Sequence, residues 1–158
     1  MSDAMTATAV LDEPQAAARP VVNDCTIHVA TVNGSGSQSS NSVLMRSIFQ
    51  MGVPVSGKNM FPSNIAGLPT WFTIRANKDG WIARKKEVDI MVCMNPQTAR
   101  EDVMALEPGA VCIYDAPLNC KSIRNDISFF EVPFAKLAGQ GARCWSSMTA
   151  QARGDLAP

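Results

Sequence analysis

The residues best suited to chemistry lie between Gly34 and Ser39, Gly-Ser-Gly-Ser-Gln-Ser, which follow an apolar run and precede a helical pattern. Gly34, Gly36 and Ser39 occupy the three small-residue positions of a G-x-G-x-x-G loop. Such a loop turns tightly, lets its backbone approach a phosphate, and aims a helix N-terminus at the negative charge. Serine at the third position keeps the residue small but weakens the pattern. A plain strand-to-helix turn also favours Gly and Ser, so the motif alone leaves both readings open.

The surrounding charge narrows the ligand. Binding NAD calls for an acidic residue ~20 positions on, to hold the ribose hydroxyls. No Asp or Glu occurs between Asp24 and Asp79, whereas Arg46, Lys58, Arg75 and Lys78 all fall in that window. The pattern disfavours NAD and leaves more highly charged anions: NADP, coenzyme A or a carboxylate substrate. Lys58 and Asn59 stand at the expected end of a strand, just before the loop 62–69, which carries Ser63 and Asn64. In open α/β sheets ligands bind at that edge.

Other chemical groups are few. His28 is the sole histidine and lies inside an apolar run, which favours a packed position over a base. The five cysteines (Cys25, Cys93, Cys112, Cys120 and Cys144) are scattered, with no C-x-x-C pair to seed a zinc or iron–sulfur site. Walker and G-x-S-x-G motifs are absent from the sequence.

The elements that would position these residues are legible as a series. Strands are expected at Cys25–Val32, Val53–Phe61, Thr70–Asn77, Val88–Met94, Ala110–Asp115 and Ile127–Pro133, from β-branched and apolar runs bounded by turn residues. Helices are expected after the glycine loop, with Val43, Leu44, Ser47, Ile48 and Met51 at helical spacing, and from Asn95 as cap to Pro108 and Gly109. Lys78–Gly80 reads as a tight turn returning Trp81–Lys86 antiparallel to the preceding strand. The fold class is α/β: a mostly parallel sheet flanked by helices, with a β-hairpin insertion.

A chain of 158 residues, 46% hydrophobic, suffices for one domain with a core. Its zero net charge gives no reason to expect nucleic-acid or membrane-surface binding. No apolar stretch reaches the ~20 residues that span a bilayer. The scattered thiols and lack of a secretory signal point to the cytoplasm. The expected organisation is a disordered lead-in over 1–22, a domain over 23–138, and an irregular tail over 139–158.

From Cys25 to Ala138 the chain resembles the gamma domain of 2-oxoacid:acceptor (ferredoxin) oxidoreductases. The stretch Gly57–Arg75 carries the specificity, and the Gly34–Ser39 loop stands where the family has Gly-x-Gly-Gly-Gln-Gly, keeping Gln38 but replacing two glycines with serine. An Arg-Gly-Gly segment common in the family is here Ser63–Arg75, as in a subgroup whose gamma domain is fused to the thiamine-binding alpha part. The resemblance implies CoA-dependent oxidative decarboxylation of a 2-oxoacid such as 2-oxoglutarate or pyruvate. That reaction uses thiamine diphosphate with Mg, and iron–sulfur clusters that pass electrons to ferredoxin. Those groups would sit in the alpha and beta parts, and this chain alone would be inactive. It would contribute an anion-facing surface, with Gly34, Ser35, Gly36, Ser37, Gln38, Ser39, Lys58, Asn59, Ser63, Asn64 and Arg75 as cofactor-binding candidates, no catalytic residue and no metal ligand. Because the family continues past Ala138 with a further helix, the expectation is a C-terminally incomplete domain, by frameshift near Gly139 or by truncation of a fused subunit. The alternative is a stand-alone NADP-like nucleotide-binding module.

Overall fold

A computed structural model describes residues 23–61 and 65–140; the expected lead-in over 1–22, Ser63, Asn64 and nearly all of the expected tail lie outside the described residues. The elements run β1 (Asp24–Val32), α1 (Ser37–Gln50), β2 (Val55–Met60), β3 (Pro69–Asn77), β4 (Ile90–Cys93), α2 (Ala99–Met104), β5 (Val111–Asp115) and β6 (Ser128–Val132). Two 3-10 turns, Ala116–Leu118 and Cys120–Ser122, lead from β5 towards β6, and residues 134–140 are helical.

The six strands form one sheet in the order β2-β3-β1-β4-β5-β6. β1, β4, β5 and β6 are parallel, and β3 is antiparallel to both β1 and β2. This is the expected α/β class, with one rearrangement. The arms of the hairpin are β2 and β3, while Trp81–Lys86 form no strand. The turn at Gly80 does form, with φ +80° and an Asn77 side chain that accepts the backbone N–H groups of Asp79 and Trp81. Strand β3 already has β1 and β2 on its two edges, so no edge is left for a returning strand.

Strand alternation divides the core in two. On one face, Met91 and Cys93 of β4 and Cys112 and Tyr114 of β5 meet Val103 and Leu106 of the α2 region, with Cys120 and Ile127. Cys93 and Cys112 are fully buried, and their sulfurs are hydrogen-bonded to each other at 3.9 Å. That shared hydrogen bond, then burial, pushes the Cys93 thiol far above its ordinary range, so these two cysteines act as small core residues. On the other face, Val29, Phe72 and Ile74 meet Met45 and Ile48 of α1.

The α1 contact explains a glycine inside a strand. A Cβ on Gly57 would stand 2.5 Å from Met45 Sδ and 3.0 Å from the Phe72 ring. The Met45 tip can swing away; the packed ring cannot. Gly57→Ala is therefore expected to destabilise the domain by roughly 1 kcal/mol, the low end of overpacking costs, as measured by denaturant midpoint.

α2 starts later than expected. Asn95 is 1% exposed and heads a turn, its side-chain oxygen accepting the Gln97 N–H at 2.9 Å, while Thr98 stands at the N-cap position without a side-chain hydrogen bond to the helix. The C-terminal end of α2 is held by Arg124, whose guanidinium donates to the carbonyls of Val103, Met104 and Leu106 and pairs with Asp126.

Candidate functional site

The glycine loop leaves the carboxyl end of β1, beside the carboxyl end of its parallel neighbour β4, the crevice where α/β sheets bind ligands. Gly34 has φ +89° and Gly36 φ +78°, both left-handed. Gly36 is the residue that caps α1, and nothing approaches within 4 Å of where its Cβ would be. Gly34 lies close to Ala66, and Asn33 ties the loop to the β2–β3 connection. Its backbone donates to Leu68 and accepts from Gly67, and its side-chain amide donates to the Ile65 carbonyl at 2.9 Å.

A cavity of about 340 Å³ opens there, lined by the loop, Thr31, Asn41, Asn59, Thr70 and Phe72. Its walls are polar and carry no acid. Thr31 and Ser37 share a hydrogen bond at 2.8 Å, and Thr70 donates to the Asn59 side-chain oxygen at 3.2 Å. Asn95, two residues past the end of β4, donates to the Thr31 carbonyl. Asn41, one turn into α1, is only 7% exposed, and its side-chain nitrogen has no hydrogen-bond partner. A buried donor without an acceptor costs about 1–3 kcal/mol. A helix N-terminus and a donor amide are both groups that an anionic oxygen would satisfy.

The structure sorts the sequence candidates. Gly34, Gly36, Ser37, Gln38, Ser39 and Asn59 line this cavity, and Ser35 lies in the loop between them with its N–H bonded to Val32. Lys58 and Arg75 are not brought to it. Lys58 is one residue from Asn59, and strand alternation sends it to the opposite face of the sheet, beside Trp71. Arg75 is at the far end of β3, paired in register with Thr26 near the start of β1. Its guanidinium is buried against Asp24 and donates to the carbonyls of Cys25 and Ala76. Thr31, Asn41 and Thr70 escaped the sequence reading; Asn41 could have been found as an amide on the inward side of the helix, one turn after the glycine loop.

His28 is half-buried on the face away from the loop, with Nε2 unpartnered, and burial lowers its pKa below the ordinary histidine value. Among the described residues no three His, Cys, Asp or Glu side chains gather as a metal-ligand set, and no helix is long and apolar enough to cross a membrane.

A family profile described as pyruvate ferredoxin/flavodoxin oxidoreductase matches residues 26–152, which is most of the chain. The chain belongs to that family. Among solved structures, the domain is similar to the 2-oxoglutarate:ferredoxin oxidoreductase of Magnetococcus marinus, solved with 2-oxoglutarate, coenzyme A and succinyl-CoA bound (TM-score 0.67, 21% identity, covering 75% of this chain and 21% of that one). It is also similar to the pyruvate oxidoreductase subunit PORC of Thermotoga maritima (TM-score 0.63, 14% identity, covering 77% and 68%). A third likeness is to the gamma subunit of a keto/oxoacid ferredoxin oxidoreductase from Geobacter sulfurreducens PCA (TM-score 0.55, 11% identity, covering 68% and 60%). Comparison with curated protein sequences finds no match. The oxidoreductase-family fold is thus the one these subunits share, and the chain spans about a fifth of the Magnetococcus protein's length.

Asn41 offers a test within this domain. Asn41→Leu removes the unpartnered donor, so the unliganded domain is expected to gain up to about 1 kcal/mol while binding of any anion in the cavity weakens. Thermal melts with and without ligand measure both. A loss of unliganded stability would show that the amide is already satisfied.

Proposed function

We propose that this chain serves as the gamma domain of a 2-oxoacid:ferredoxin oxidoreductase and holds an anionic portion of coenzyme A in the cavity of the Gly34–Ser39 loop. The supporting observation is the acid-free cavity at the N-terminus of α1, with the buried Asn41 donor unpartnered at its wall. Family membership fits this reading and leaves the stand-alone NADP-like module without support.

Coenzyme A supplies the thiol that accepts the acyl group in the CoA-dependent decarboxylation of a 2-oxoacid such as 2-oxoglutarate or pyruvate. In this reading the chain's own residues do only binding. The left-handed glycines let the backbone approach, the α1 N-terminus and Asn41 donate to phosphate oxygen, and Asn59 and Thr70 fix the wall. Thiamine diphosphate, Mg and iron–sulfur clusters belong to the alpha and beta parts, and ferredoxin is the acceptor of the assembled complex. The assembly would work in the cytoplasm.

Calorimetric titration of the 158-residue chain with coenzyme A tests the binding role. Saturable heat that pyrophosphate competes away is the expected result. Saturable binding unaffected by changes in the loop would remove the loop assignment, and no heat at all would remove the binding role of this chain by itself.

A further inference from the structure

On the face of the sheet opposite the glycine loop lies a second cavity, of about 410 Å³, with basic side chains along one side. Thr26 and His28 of β1 and Thr73 of β3 form its floor, Met60 of β2 one side, and Arg84, Lys85, Lys86 and Val88 the other. The register makes this one surface, since Thr26 is opposite Arg75 and His28 is opposite Thr73 across the β1–β3 pair. An adjoining hollow, sharing Met60 and Arg84, adds Lys58 and Trp71.

Two features set this cavity apart from an ordinary solvated face. Thr26 is 1% exposed and its hydroxyl has no hydrogen-bond partner, nor has His28 Nε2 beside it. Buried polar atoms left without partners mark places where a partner is missing. The ionic side chains that line the hollows, Lys58, Arg84, Lys85 and Lys86, are all basic, with the Asp102 carboxylate acting on His28 and that of Asp89 on the Thr26 backbone from outside the lining. The neighbouring carboxylates have other engagements: Asp24 pairs with Arg75, more distantly with Lys85, Asp89 accepts the Thr26 N–H, and Asp102 accepts the Trp71 indole.

We infer that this cavity is a second anion site, built for a small multivalent oxyanion of the pyrophosphate type. Arg84 and Lys86 would clamp the charge, and the Thr26 hydroxyl and His28 imidazole would complete its hydrogen bonds. Lys and Arg around hydroxyl donors are the usual partners of phosphate oxygens, and the volume falls in the range of small-ligand pockets. The site is separate from the loop proposed above for coenzyme A, and either can fail without the other.

The single histidine makes the test direct. With ¹⁵N-labelled histidine in the full chain, pyrophosphate is titrated at fixed pH and physiological salt while the imidazole resonances are followed. The expected result is a saturable shift whose half-point rises roughly tenfold or more in the double variant Arg84→Ala/Lys86→Ala, the loss expected for charge-assisted hydrogen bonds. It should be unchanged in a glycine-loop variant such as Gly36→Asp. Arg84 and Lys86 are exposed, so the double variant is expected to keep the wild-type melting temperature. Absence of any saturable shift, or a shift the double variant does not weaken, overturns the site.

Discussion

Gly36→Asp is expected to abolish coenzyme A binding while leaving the fold intact. Gly36 caps α1 in the left-handed region, at φ +78°, and a Cβ there meets nothing within 4 Å. Asp and Asn are the side chains that tolerate this region best, so the backbone strain stays small. The new carboxylate would stand where a phosphate oxygen has to sit. Two like charges ~4 Å apart repel by roughly 4 kcal/mol at an effective dielectric constant near 20, enough for at least a hundredfold loss of affinity. The control is Gly36→Asn, which has the same shape and no charge and should retain most of the binding. Calorimetry on the two variants, with their melting temperatures, separates charge from structure. Equal affinities for the Asp and Asn forms would mean that the ligand's charge does not lie at this helix end.

The glycine loop was legible because its chemistry is local: left-handed turns select glycine wherever they occur, and Gly34 and Gly36 both adopt them. The strands were legible for a similar reason, since buried parallel strands read as apolar runs, and β4 and β5 are such runs. What depended on pairing was less visible. Thr70–Asn77 was expected to pair with Trp81–Lys86, but its partners are Val55–Met60 and β1, a choice set by the whole sheet. Helix α1 shows the same limit. The sequence set Val43, Leu44, Ser47, Ile48 and Met51 at helical spacing; of these Ile48 packs on the sheet, with Met45 and the buried Asn41, while Val43, Leu44 and Met51 are 64%, 42% and 72% exposed. The helix's rotation on the sheet therefore differs from the one its apolar spacing suggests. That rotation carries Asn41 inward to the cavity. Lys58 and Asn59, adjacent in sequence, part to opposite faces because β2 is a strand; the strand expected over Val53–Phe61 already implied this alternation, and grouping the two by proximity overlooked it.

Arg75 should prove to be a structural residue, and its substitutions carry the largest expected change in stability. It is 4% exposed, paired with Asp24, and hydrogen-bonded to the carbonyls of Cys25 and Ala76. Arg75→Ala deletes a long buried stem and its hydrogen bonds to two carbonyls, and is expected to cost about 3 kcal/mol, in the range for large-to-small core substitutions. Arg75→Met fills the same volume with no charge to desolvate, and Asp24, a third exposed, can turn its carboxylate to water. That variant should stay within about 1 kcal/mol of the wild type. Acid titration gives an independent readout. The hydrogen bond from Arg75, helped by Asn77, holds the Asp24 carboxyl below its usual value. A lowered folded-state pKa gives stability that is present above the unfolded value near ~3.9 and lost as pH falls through the folded one. The wild type should therefore lose stability below about pH 4 more steeply than Arg75→Met, whose Asp24 titrates nearer its unfolded value. If Arg75→Met instead leaves stability and acid response unchanged but weakens coenzyme A binding, Arg75 belongs to a binding surface and its pairing with Asp24 is incidental.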